Sequence, residues 1–201
     1  MTKNILQATV GIQGSRPFLY HVFTRDSIPL EKQERTGVAG HDPTEWRKSV
    51  TYTEQGQLWI PGTYIFGCLS NGSKYTKKGR GSIQVSLTST LMVLDDKILF
   101  DRFIPGFNSH LPDTLPEDDG LPVYLDVRSV VNPTTKGRNI RYRVTMGVGW
   151  QTEFRIRWDK TIVNRNEMEA VCIDSGHFCG LGSGRKIGYG RFEITSFEVI
   201  E

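Results

Sequence analysis

The residues best suited to chemistry lie near the end of the chain, in Gly180-Leu-Gly-Ser-Gly-Arg-Lys-Ile-Gly-Tyr-Gly-Arg191. Five glycines, Gly180, Gly182, Gly184, Gly188 and Gly190, are interleaved with Arg185, Lys186, Tyr189 and Arg191. Glycine admits positive φ and lets backbone come close to a ligand. Successive amides in such a loop can form an anion-binding nest, and neighbouring cations suit phosphate. The competing reading is a glycine-rich hairpin turn with no ligand; three cations among five glycines favour the anion. Two nucleotide motifs are set aside. A Walker loop needs Gly-Lys-Ser/Thr opening a helix, and a dinucleotide fingerprint needs a helix after its glycines. Here the strand-like run Phe192-Glu-Ile-Thr-Ser-Phe-Glu-Val-Ile200 follows, so a phosphate chain fits better than a mononucleotide.

A second cation cluster, Lys74, Lys77, Lys78 and Arg80, falls within seven residues and is broken by Gly79 and Gly81. Cations at a helix end complement the dipole, and the same cations can contact phosphate. Both readings stand at this point. Cys172, His177 and Cys179 have no standard zinc spacing, so no metal site is assigned. Cys68 reads as a core thiol. Asp95-Asp96 and Glu117-Asp118-Asp119 read as solvated acidic loops.

The whole chain sets bounds on these readings. At 201 residues, 37% hydrophobic and 23% charged, it has the composition of a single ordered domain, 1–201. A net charge of +3 is too small to imply a polyanion partner by itself, so the clustering of cations carries that argument. No apolar run approaches membrane-spanning length and the start lacks a signal-peptide core, so the expectation is no membrane partner and a cytoplasmic location. Three cysteines without CxxC spacing agree with a reducing compartment.

The elements that must position the loop are read from periodicity. Ile5 to Ile12 is a strand, broken at Gly14-Ser-Arg-Pro, with Phe18 to Phe23 continuing it. Residues 24–57 are polar and rich in breakers, an insertion leaving the core. Pro61-Gly-Thr63 turns into a helix capped there and running to about Lys74. Residues 82–94 fit helix or strand. Lys97 to Phe103 is a strand, and 104–122 is a second, acidic insertion. Strands follow at Val123–Val131, Asn139–Trp150 and Thr152–Trp158. In them Ile140, Tyr142, Val144, Met146 and Val148 share a face opposite Arg141 and Arg143, and Arg155 and Arg157 alternate with Phe154, Ile156 and Trp158. Asn164 to Cys179 is a capped helix ending at the glycine loop. With the insertions removed the order is βαββαβ, an α+β ferredoxin-like pattern.

Two stretches in this order resemble a known family. Ile60-Pro-Gly-Thr-Tyr-Ile-Phe-Gly-Cys-Leu69 resembles the "IPGSSLKG" helix start of the RAMP superfamily, the RNA-binding proteins of CRISPR effector complexes. The 180–193 stretch resembles that superfamily's C-terminal glycine-rich loop. Within it the chain is most similar to the repeating backbone subunits. The resemblance implies a modified RNA-recognition fold that binds single-stranded guide RNA, with a target strand where one is engaged. Copies would assemble head to tail, alongside other effector subunits, in nucleic-acid defence. Insertion 24–57 would take the place of a thumb-like loop. Phe66 stands where the family carries a basic residue, which removes one phosphate contact.

The resemblance also implies candidate chemistry. In target-cleaving relatives an aspartate in the loop before the "IPG" motif cuts RNA, and Asp42 lies eighteen residues before Ile60. An aspartate there would orient a ribose 2′-hydroxyl or bind a divalent ion such as Mg²⁺, with His41 as proton carrier. The alternative for Asp42-Pro43 is a turn. RNA binding alone calls for no cofactor. The contacts expected from the resemblance are Lys74, Lys77, Lys78, Arg80, Arg185, Lys186 and Arg191, with Gly180, Gly182, Gly184, Gly188 and Tyr189 lining the path.

Overall fold

The computed structural model describes residues 4–28, 41–132, 134 and 136–200. Its main sheet is antiparallel in every pairing: β11 (Phe192–Ile200), β1 (Ile5–Gly14), β10 (Gln151–Asp159), β7 (Lys97–Phe103) and β3 (Gln57–Pro61), in that order. The short β6 (Met92–Val93) also pairs with β10. A second antiparallel sheet contains β2 (Phe18–Leu19), β9 (Arg138–Met146) and β8 (Val123–Val131). A two-stranded hairpin joins β4 (Lys77–Lys78) to β5 (Gly81–Ser82).

Among the described residues three α-helices complete the α+β fold: α1 (Gly62–Gly72), α2 (Gln84–Thr88) and α3 (Arg165–Asp174). Alternation along β10 puts Phe154, Ile156 and Trp158 into the core and leaves Arg155 and Arg157 outside. Ile65, Cys68 and Leu69 of α1 and Met168, Val171 and Cys172 of α3 are buried in the same core. An aromatic cluster joins the two sheets. Trp150 packs on Phe18 at 5.7 Å, Phe100 at 5.5 Å and Phe192 at 6.4 Å, and its indole donates to the Arg16 carbonyl at 2.9 Å. Because Trp150 is fully buried, its indole N–H requires that partner.

Several sequence expectations are matched closely. Strands β7, β8 and β11 have the expected bounds, and residues 104–122 contain no helix or strand. Asn164 caps α3 by accepting from the Glu167 amide, while Glu167 accepts from the Asn164 amide, both at 2.9 Å. The helix then continues as a π-helical turn over Ser175–Cys179.

Other expectations are corrected. Helix α1 starts from Pro61 with no side-chain cap, so Thr63 is not its cap, and it stops at Gly72, short of Lys74. The run 57–61 is a strand, because Leu58 and Ile60 pair their buried side with β7. Residues 82–94 resolve into both alternatives, α2 and then β6. Val148 lies beyond the end of β9 and is exposed, so it does not share the face of Met146. Residues 29–40 of the 24–57 insertion lie outside the described residues. Its later part lies on the core, with Trp46 and Val50 buried. No helix among the described residues is long and apolar enough to cross a membrane.

Candidate nucleic-acid interface

The glycine-rich loop folds back on itself between α3 and β11. All five glycines have positive φ. Gly190 shows why one is needed: a Cβ there would sit 1.8 Å from the Leu181 carbonyl oxygen, at a φ of 68°. The Leu181 amide donates to Gly190 O at 2.9 Å, the Ser183 amide to Leu19 O at 2.9 Å and the Gly190 amide to Pro17 O at 2.7 Å. Ile187, Gly188 and Tyr189 donate to carbonyls within the loop. These amides are occupied by the fold, and the loop also presents cations outward. Arg185 and Lys186 are exposed on a 3-10 turn over Arg185–Ile187.

Strand β9 meets this loop. Arg143 Nη1 donates to Ser183 Oγ at 2.8 Å. Across the ladder, Asp126 faces Arg143 and Arg128 faces Arg141. Arg128 pairs with Asp126, lies 4.7 Å over the Tyr189 ring and donates to the Tyr189 hydroxyl at 2.5 Å. The Asp126 bond, then that of Tyr189, hold the Arg128 pKa above its usual value, although burial opposes them. Burial lowers that of Arg143, and Arg141 and Arg128 add to the effect while Glu45 and Asp126 oppose it. A guanidinium stays charged at neutral pH through such shifts.

His21 follows β2 and faces the same cations. Burial lowers its pKa, Arg143 and Arg141 lower it further and Glu45 opposes them. Tyr64 of α1 donates to the His21 carbonyl at 3.2 Å, and its own pKa, raised by burial, is pulled back by Arg185. Lys74, Arg191 and Arg185 all act on the Cys179 thiol, whose pKa burial raises. Lys74, Arg185 and Arg191 thus share one neighbour, with α1 alongside and Arg143 of β9 touching the loop, while Arg141 pairs with Glu45 at 2.7 Å.

The other expected residues lie elsewhere. Lys77, Lys78 and Arg80 are on the β4–β5 hairpin. Lys78 donates to Ile162 O at 2.7 Å and pairs with Glu167 at 3.3 Å, at the N-terminal end of α3. The loop leaves from the opposite end of that helix, about 15 Å away along its axis. His41 stacks on Tyr142 at 5.8 Å, with Nδ1 3.0 Å from the Tyr142 hydroxyl. Alternation puts Tyr142 on the side of β9 opposite Arg141 and Arg143. Asp42 accepts from the Thr44 amide at 2.9 Å, the Thr44 hydroxyl at 2.7 Å and Lys48 Nζ at 3.0 Å. Partial burial raises its pKa, but these bonds outweigh burial and hold it below the usual value. This is the turn reading of Asp42-Pro43. Among the described residues, no group of three or more His, Cys, Asp or Glu side chains could hold a metal ion.

Sequence reasoning missed Tyr64 and Arg128 as neighbours of the loop, and His21 and Glu45 as neighbours of the β9 arginines. The Arg141/Arg143 alternation was the one visible signal for this face. Nothing local marks His21 or Tyr64.

No protein-family profile matches the chain, and no curated protein matches it. Among solved structures it is similar to a chain in the cryo-EM structure of the Type III-B Cmr-beta bound to cognate target RNA. That match has a TM-score of 0.50 at 14% sequence identity, and covers 98% of this chain but 61% of the other. The likeness is therefore one of fold along nearly the whole chain, which spans about three-fifths of that neighbour's length.

Proposed function

We propose that this protein is an RNA-binding subunit of the RAMP kind, which assembles along a single-stranded guide RNA in a CRISPR-type ribonucleoprotein. The observation that carries this reading is the meeting of the loop with β8 and β9, through Arg143–Ser183 and Arg128–Tyr189. Around it stand Arg185, Lys186 and Arg191 of the loop, Lys74 and Arg143, while Arg141 beside them is held by Glu45 at 2.7 Å. Guanidinium groups on a rigid sheet suit phosphate recognition without base readout. Sequence would then be read by pairing between guide and target. Neither binding nor pairing needs a cofactor.

The fold supports the same reading. Taking β1, β7 with β6, β10 and β11 as the four core strands, the sheet order is fourth, first, third, second, with α1 and α3 as the crossovers. This order is compatible with the ferredoxin-like arrangement expected of a modified RNA-recognition fold, with β8 and β9 as an insertion before the third strand. In this reading the thumb-like role falls to the 24–57 segment, whose Trp46 and Val50 anchor it on the core. The solved neighbour belongs to an assembly bound to RNA. Other effector subunits are the expected partners, and the cytoplasm the expected location.

The alternative is a metal-dependent endoribonuclease using Asp42, with His41 as proton carrier and Mg²⁺ as the ion. It would require Asp42 to exchange its Thr44 and Lys48 contacts for the metal or the ribose.

The test is purification from the expression host with the 260/280 nm absorbance ratio, followed by RNase or DNase digestion. Affinities for single-stranded RNA and DNA of one sequence are then measured. RNA of discrete length on an oligomer that RNase disperses is the expected result. A clean monomer that ignores single-stranded RNA at low salt would overturn the proposal.

A further inference from the structure

Among the described residues the main sheet has one open edge. At its β3 end, Thr53 donates to Gln57 O at 2.8 Å and Trp59 to Thr51 O at 3.2 Å, so residues 51–53 close that side. At the other end β11 is the last strand, and among the described residues no strand pairs with its outer edge. Beside that edge, the outer side of α3 and the π-helical turn leave a groove of about 350 Å³. It is lined by Glu169, Ile173, His177, Glu193, Ile194 and Phe197 among others. Ile173 is 42% exposed. An open strand edge flanked by apolar side chains is a template for another strand, with carboxylates at its rim to select the partner's charge.

The chain carries a matching edge of its own. Strand β8 is the last strand of the second sheet. The Leu125 amide donates away from β9, to Pro116 O at 2.7 Å. With a two-residue period, the amides of Val127, Ser129 and Val131 also point outward, and no carbonyl among the described residues receives them. Val127 and Val131, on one face of β8, are exposed there, beside the exposed cations Lys136 and Arg138. The β8–β9 arm is thus apolar and basic where the β11 groove is apolar and acidic.

We infer that the β11 groove receives the β8–β9 arm of a second copy of this chain, so that β8 extends the main sheet across the interface. This deepens the self-assembly in the proposed function and rests on it. The two surfaces differ, so the contact is heterologous and propagates head to tail instead of closing a dimer. Valine side chains of the arm cover Ile173 and Phe197, while Lys136 and Arg138 meet Glu169 and Glu193. Charge makes the pairing directional, because two grooves or two arms repel each other.

Sedimentation equilibrium over a concentration series, with and without a single-stranded RNA, tests this. One double variant reverses the groove, Glu169→Arg with Glu193→Arg. A second reverses the arm, Lys136→Glu with Arg138→Glu. Each alone is expected to self-associate at least ~10-fold more weakly than the parent. An equimolar mixture is expected to regain assembly, because parent arm meets parent groove and reversed arm meets reversed groove in alternation. A parent chain that stays monomeric with and without RNA overturns the inference. So do double variants that assemble as the parent does, or a mixture that stays apart. Affinity for an oligonucleotide short enough for one protomer is measured on the same proteins. Its absence, with assembly behaving as described, would count against the RNA reading while leaving the interface standing.

Discussion

Arg143 on β9 and Ser183 in the glycine-rich loop are joined by a 2.8 Å hydrogen bond between residues forty apart in sequence. That bond couples the position of the loop to the arginine face of the second sheet. Lys78 lies outside that coupling, held at the start of α3.

Replacing Arg143 or Arg185 by alanine should weaken single-stranded RNA binding more than replacing Lys78, which is already held by Ile162 O and Glu167. Each loop-side variant should lower affinity ~10-fold and reduce the slope of log affinity against log salt by ~1, the signature of one lost phosphate contact. Fluorescence anisotropy across a salt series gives both numbers. Equal effects from all three substitutions would remove the distinction drawn here.

Gly190 and Gly67 make a paired test of the backbone. Gly190→Ala drives a Cβ into the Leu181 carbonyl at positive φ and should cost at least about 2 kcal/mol. Gly67 lies in α1 with nothing within 4 Å of a new Cβ, so Gly67→Ala should leave stability unchanged or raise it by up to about 1 kcal/mol. Denaturant unfolding monitored by tryptophan fluorescence reads both.

Asp42 should act in stability. Its folded-state pKa is lowered, so its contribution is present above the unfolded value of 3.8 and is lost as pH falls through the folded value. Asp42→Ala should cost about 1 kcal/mol at pH 7 and flatten that acid-side loss. His21, also lowered, acts in the same direction at higher pH: stability falls as pH drops below 6.5, the unfolded value, toward the folded one. Melting curves from pH 3 to 8 on the parent, Asp42→Ala and His21→Ala separate the two contributions. RNA cleavage with Mg²⁺ measured on the parent and Asp42→Ala tests the nuclease alternative directly.

The thiols should be inert in the folded protein. Burial pushes Cys68 far above its ordinary pKa and Cys172 up to about 12, and both are almost wholly inaccessible. A chromogenic disulfide reagent at pH 8 should leave Cys68 and Cys172 unreacted in buffer and label all three cysteines in denaturant. Fast reaction of either in buffer would mean that α1 and α3 open readily.

Much of the fold was legible because its signals are local. Apolar alternation placed β7, β8 and β11 at their observed bounds, and the Asn164–Glu167 reciprocal cap announced α3. Signals were weaker where two structures satisfy one pattern. Leu58 and Ile60 are too few to mark β3, and the apolar spacing of 83–94 served a short helix and then a short strand. For the site, the loop and its cations were visible as a cluster of residue types, and Arg141 with Arg143 as an alternation.

Sequence by itself determined which segments bury which face, where the glycines allow a folded-back loop, and which cations are available. These properties depend on neighbours only a few positions away. Tertiary structure decided how they are used: that the Gly190 and Ser183 amides are consumed by Pro17 and Leu19, that Arg128 and Arg143 meet Tyr189 and Ser183, and that Lys78 is drawn away to α3. Those outcomes depend on partners 40 to 173 positions apart, brought together by the packing of two sheets around Trp150, and no local pattern encodes that meeting.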